Sequence, residues 1–155
     1  MKHRQLEITR ELYGFTFPYE PYLNSKSGYN LKMRVEYREI YYLFDPYSYI
    51  ICRSDSDDAE YIEDAIRFPA IPQIEVMKAY VGQLNNRQLQ KTFEMLNEQE
   101  YMGMFWNCFD DGFYTLNDVG DFERYYRYAR IIEWCEHNHI SYYIKDERIK
   151  KDLKL

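Results

Sequence analysis

The stretch "EIYYLFDPYSYIICR", residues 39–53, decides the fold class. It reads as two short strands of aromatic and β-branched residues around the turn "DPYS", where Pro46 presets the backbone angle of a turn position. The segment before it, "LKMRVEY" at 31–37, alternates strictly. Leu31, Met33, Val35 and Tyr37 fall on one side, with Lys32, Arg34 and Glu36 on the other. A period of two predicts a half-buried strand. Residues 66–68 supply a further short strand.

After Pro72, which suits a first helical turn, the period changes. Ile74, Met77, Val81 and Leu84 recur at three and four residues, so 73–84 is predicted helical, with Gly82 weakening its end. Asn85 or Asn86 is placed to cap a helix in which Leu89, Phe93 and Leu96 share a face. "YMGMFWNCF", 101–109, is a third apolar segment, and "DDG", 110–112, breaks the chain. Asp118 or Asp121 is expected to cap a last helix over 121–137. Phe122, Tyr125, Ala129 and Ile132 line one side of it, widened by Tyr128, Ile131 and Cys135. Arg124, Arg127 and Arg130 mark the other side and predict a charged solvent face, with Glu123 four residues before Arg127 in the order that favours an ion pair. "ISYYI", 140–144, predicts a final strand. "KDERIKKDLKL", 145–155, predicts a charged tail, either a solvated helix or frayed. At the other end, Leu6, Ile8 and Leu12 predict a short amphipathic helix over 3–13, and 14–30 an aromatic loop, within a variable extension over 1–30.

The expected architecture is therefore one α+β domain: strands over 31–68 forming an N-terminal antiparallel β-sheet, packed against a helical C-terminal half over 73–138.

From the hairpin onward, "YYLFDPYSYIICRSDSDD", "YIEDAIRFPAIP", "VMKAYVGQL" and "ARIIEWCEHNHISYY" resemble the UPF0158 family of uncharacterised bacterial proteins, over roughly residues 40–143. "IEWCE", 132–136, is the most specific piece. Where that family continues with a Glu-Asn-Gly-Ile-like sequence, this chain has His137, Asn138, His139 and Ile140. The resemblance implies a bacterial protein and supplies neither catalytic residues nor a cofactor.

The composition narrows the function classes. A length of 155 residues is one ordinary domain. A net charge of −6 and a pI of about 5.1 argue against direct nucleic-acid binding, which needs lysine and arginine to displace counterions, and against an anionic membrane surface. No apolar run reaches the roughly 20 residues of a membrane helix. The N-terminus lacks the apolar core of a secretory signal. Cys52, Cys108 and Cys135 are odd in number and form no CxxC pair, which fits a reducing cytoplasm. The 18 tyrosines serve a core and boundary layer, or a binding face, since tyrosine is enriched at interfaces.

Two stretches look like chemistry. In "WCEHNH", 134–139, Cys135, His137 and His139 are zinc-type donors. On a helix, however, Cys135 and His139 share a face while His137 points away. Glycine in the resembling family marks the position as a helix C-cap. The expectation is a buried last turn at Trp134 and Cys135, with "HNH" as its cap and no metal.

The second stretch is "DSDDAEYIED", 55–64. Its acids Asp55, Asp57, Asp58, Glu60, Glu63 and Asp64 miss the calcium-loop pattern, with Glu60 where glycine belongs and Ile66 at the twelfth place. The simplest role is a solvated loop that blunts a sheet edge. The functional role is a negative patch for a basic protein partner.

The leading expectation is thus a cytoplasmic, non-catalytic interaction or regulatory domain without a cofactor. A pointed variant is an acidic inhibitor of a nucleic-acid-binding enzyme, offering carboxylates where DNA offers phosphates, as a phage-type anti-defence protein would. A reading of another class is a metal-dependent enzyme using the acids of 55–64, or Asp110, Asp111 and Asp118.

Overall fold

A computed structural model describes residues 4–18 and 40–155. The strand expected over 31–37 and most of the loop expected over 14–30 lie outside the described residues. The hairpin forms as expected. Strands β2 (Tyr42–Phe44) and β3 (Ile51–Arg53) pair antiparallel, with Phe44 opposite Ile51. Asp45 closes the turn, its carboxylate accepting from the backbone N–H of Tyr47 at 2.8 Å and of Ser48 at 3.3 Å. β4 (Ile66–Arg67) joins the other edge of β2, giving the order β3-β2-β4.

The N-terminus departs from expectation. Residues 6 and 7 are not helical: Leu6–Glu7 is a strand, β1, that pairs in parallel with β5 (Tyr142–Tyr143). Leu6 and Ile8 are both buried, a period of two around Glu7. Thr9 then starts helix α1 (Arg10–Phe15), its hydroxyl accepting from the N–H of Leu12 at 3.3 Å.

Four helices follow, α2 (Gln73–Gln83), α3 (Arg87–Phe93), α4 (Glu98–Asp110) and α5 (Leu116–His137), and α6 (Glu147–Asp152) comes after β5. Asn86 caps α3. Asn97 and Glu100 form a capping box at α4. The long helix starts earlier than the apolar pattern predicts. Neither Asp118 nor Asp121 is its cap; Thr115 is, accepting from the N–H of Asp118 at 3.1 Å while the Asp118 carboxylate reaches back to the N–H of Thr115 at 3.3 Å. The C-terminal segment is docked rather than frayed, because Ile149 and Leu153 of the α6 region are buried in the core.

Helix α5 organises the rest. Its 22 residues span about 33 Å and serve two apolar clusters. Its C-terminal half gives Tyr128, Ile131 and Cys135 to a cluster with Ile8, Phe44 and Phe68. Trp134 meets Phe44 and Phe68 edge-on, at 5.4 and 4.9 Å between ring centres, which seats the sheet on this end. The N-terminal half gives Val119 to a second cluster with Met77, Tyr80, Phe93 and Phe105. The architecture is α+β, with the antiparallel sheet in the N-terminal half and helices in the C-terminal half.

Arg127 lies in the middle of α5 and is not on a solvent face. Its side chain is fully buried. Its guanidinium donates to Glu123 at 2.8 Å, to the Ile71 carbonyl at 2.8 Å, to the Thr16 hydroxyl at 3.1 Å and to Gln73 at 3.4 Å. It also lies 3.7 Å over the Phe17 ring. The expected partner, Glu123, is present, but the expected environment is reversed. Position 127 lies four residues before the buried Ile131 and so shares its face. Arg124 and Arg130 do stay partly exposed, paired with Asp121 and Glu75 respectively.

Candidate functional site

The end of α5 is built as the sequence predicts. Asn138 is its C-cap, and His139 sits in the left-handed region at φ +57°. The N–H of Ile140 donates to the Cys135 carbonyl at 2.8 Å and that of His139 to Glu136 at 3.3 Å, the paired bonds of a Schellman cap. Cys135 is fully buried beneath this cap, and burial, reinforced by Glu136, pushes its thiol up to about 12. His137 and His139 are exposed, so the three donors do not converge. A thiol protonated at neutral pH and shut from solvent is no nucleophile.

The acidic run leaves β3 and returns to β4 through a short 3-10 turn, Ala59–Tyr61. All six of its carboxylates, Asp55, Asp57, Asp58, Glu60, Glu63 and Asp64, are exposed. Two are committed locally. Asp55 takes both arms of Arg53, at 3.0 and 2.8 Å, and Asp64 accepts from the Tyr47 hydroxyl at 2.7 Å. The Asp64 bond, which forms better to the neutral phenol, raises the Tyr47 hydroxyl above its ordinary value.

What the sequence reading missed is apolar. Tyr47, Ile50 and Tyr61 stand beside these acids at 61%, 63% and 79% exposure. The available signal was the alternation: Ile51 pairs with Phe44, so Ile50 faces away from that pairing. A shallow hollow of about 260 Å³ separates the hairpin from the loop, lined by Asp45, Ile50, Cys52, Asp58 and Tyr61. Such a surface can bind an ammonium or guanidinium group through carboxylates while seating an apolar chain against tyrosine.

The other acids proposed for metal chemistry do separate work. Asp118 belongs to the capping box of α5, Asp111 is the C-cap of α4, and Asp110 is exposed. Among the described residues, no three of His, Cys, Asp and Glu come together in a group able to hold a metal ion. No helix is long and apolar enough to cross a membrane among those residues. No family model, curated protein or solved structure matches the chain.

Proposed function

We propose that this chain is a non-catalytic interaction domain that binds a basic protein partner through the hairpin end of its sheet. The observation that carries the reading is the juxtaposition of six exposed acids with exposed Tyr47, Ile50 and Tyr61. Aromatic side chains on the hairpin turn and on the short helical turn beside it, Tyr47 and Tyr61, are suited to be binding anchors, and a surrounding acidic rim steers a cationic partner without needing a deep pocket. Kinship with the UPF0158 family, resting on "IEWCE" and the hairpin sequence, belongs to the same proposal and adds no catalytic residue.

The test uses the full chain as bait in an extract of its native cells. A captured partner should be basic, should be released steeply as salt rises, and should be lost with the triple variant D57N/D58N/E60Q or with Tyr61→Ala. Capture unchanged in both variants refutes the proposal.

A further inference from the structure

Helix α4 is apolar on two sides. Tyr101, Phe105 and Cys108 face the second cluster and are buried. One residue along, about 100° round the helix, Met102, Trp106 and Phe109 repeat the same spacing. Met102 and Trp106 are each 40% exposed, and Trp106 meets Phe109 edge-on at 5.7 Å. Phe113, just beyond the helix, is 54% exposed. Phe109 folds back against the second cluster and is half-buried, so the uncovered part of the stripe among the described residues is Met102 and Trp106, with Phe113 beyond. Gly103 adds an open notch beside Met102, with nothing within 4 Å of where a side chain would begin.

Charge identifies what fits there. Residues 92–123 hold eight Asp or Glu and no Lys, Arg or His. The acids bracket the stripe, with Glu98 and Glu100 at the start of α4 and Asp110 and Asp111 at its end. Lys78 lies 5.8 Å over Tyr101, on the inward side of this helix. A second copy docking by the same face would set acid against acid across the contact. A nucleic acid or an anionic lipid surface would be repelled. We propose that the outer face of α4 docks a cationic amphipathic helix of a partner protein, apolar side against Met102 and Trp106, with its lysines or arginines against the two acidic ends. Such a helix lays its ridges along the 102–106 row as helices pack on one another. This surface is distinct from the hairpin patch, and neither depends on the other.

The probe is a synthetic amphipathic peptide with Leu on one face and Lys on the other, titrated calorimetrically into the full chain at low salt. A matched peptide with Glu for Lys is the control. The Lys peptide should bind, the Glu peptide should not, and affinity should fall steeply with salt. Met102→Gln with Trp106→Gln should weaken binding at least tenfold while the far-ultraviolet circular dichroism of the folded protein is kept, since each residue is 40% exposed. Trp106→Phe should restore most of the affinity. The hairpin variant D57N/D58N/E60Q should leave it unchanged, which separates this inference from the hairpin reading. Equal binding of the two peptides, unchanged binding to the double variant, or loss in the hairpin variant overturns it. So does a dimer that dissociates on Met102→Gln with Trp106→Gln, which would assign the face to a second copy.

Discussion

Replacing Arg127 by methionine isolates the one buried charge in the described core. Methionine keeps the length and apolar stem of the side chain and removes five donors. Five acceptors then lose this partner: the Ile71 carbonyl, the Thr16 hydroxyl and carbonyl, the Gln73 amide oxygen and the Glu123 carboxylate. Glu123 is only 18% exposed, so its charge is poorly solvated once alone. Removing one member of a buried ion pair typically destabilises by about 3–5 kcal/mol, because the group left behind stays desolvated. That is a large part of the 5–15 kcal/mol typical of a domain, and corresponds to a melting temperature lower by roughly 6–20 °C. Urea unfolding followed by circular dichroism measures it. The control is Arg124→Met, which removes exposed pairs with Asp121 and Asp152 and should cost about 1 kcal/mol or less. The two tryptophans add a spatial readout. Trp134 reports the sheet-bearing cluster and Trp106, against Phe105, the helical one. In single-tryptophan variants the two transitions should coincide, and in Arg127→Met they should separate, because the guanidinium joins segments that serve both clusters. A cost for Arg127→Met no greater than for Arg124→Met would refute the reasoning.

Three further outcomes follow from the core and its caps. In the folded protein, thiol reagents should modify Cys52 first and leave buried Cys108 and Cys135 until unfolding, as read by mass spectrometry; early modification of Cys135 would contradict its burial. Stability should fall at alkaline pH: burial raises Cys135 from an ordinary value of 9.0 and Tyr128 from 10.0, each to about 12, so the unfolded chain loses these protons first. Their contribution is whole below about pH 9 and declines toward pH 12, by at most about 1.4 kcal/mol per pH unit for each group, and Cys135→Ala should remove the part that begins near pH 9. His139→Gly should stabilise by about 0.5–1 kcal/mol, since glycine takes the +57° φ without strain, whereas His139→Val should destabilise; a stability loss with glycine would mean the histidine side chain has a role of its own.

The parts legible in the sequence are those governed by neighbours in the chain. The hairpin around Pro46, the apolar row of α2, the Asn86 cap and the Schellman end at His139 each rest on contacts within a few residues. The errors are non-local or competitive. β1 pairs with a strand 136 residues away, and no short-range pattern records that partner. Leu6, Ile8 and Leu12 fit both periods, and the parallel pairing settles Leu6 as strand, with Ile8 just past its end. At α5, Thr115 and Asp118 are both good caps, and the reciprocal box uses them together, so the helix starts before its apolar stripe does. Arg127 was misread because a charge at a core-facing position looks identical in sequence to one on a solvated face. Only the arrival of Thr16, Ile71 and Gln73 makes it an interior residue. For the site, the acids were visible as a run, but the exposed Tyr47, Ile50 and Tyr61 were not, since exposure depends on which face the sheet turns to Trp134.

Arg127 also bears on how the two proposed surfaces relate. The hairpin patch sits on the sheet seated at the C-terminal half of α5, while α4 packs in the cluster served by its N-terminal half. Between them the guanidinium grips the end of α1, the segment entering α2, and α5 itself. A joint held by this many directed bonds resists small sliding between the described segments it ties together. If both proposed surfaces bind, a partner that engages the two at once gains by effective concentration, to an extent set by how firmly this joint fixes their spacing. In such an arrangement, loosening the joint weakens two-point binding more than either single contact. Arg127→Met is therefore expected to weaken such two-point binding although the residue is itself buried; two-point affinity that falls no more than either single contact would refute this.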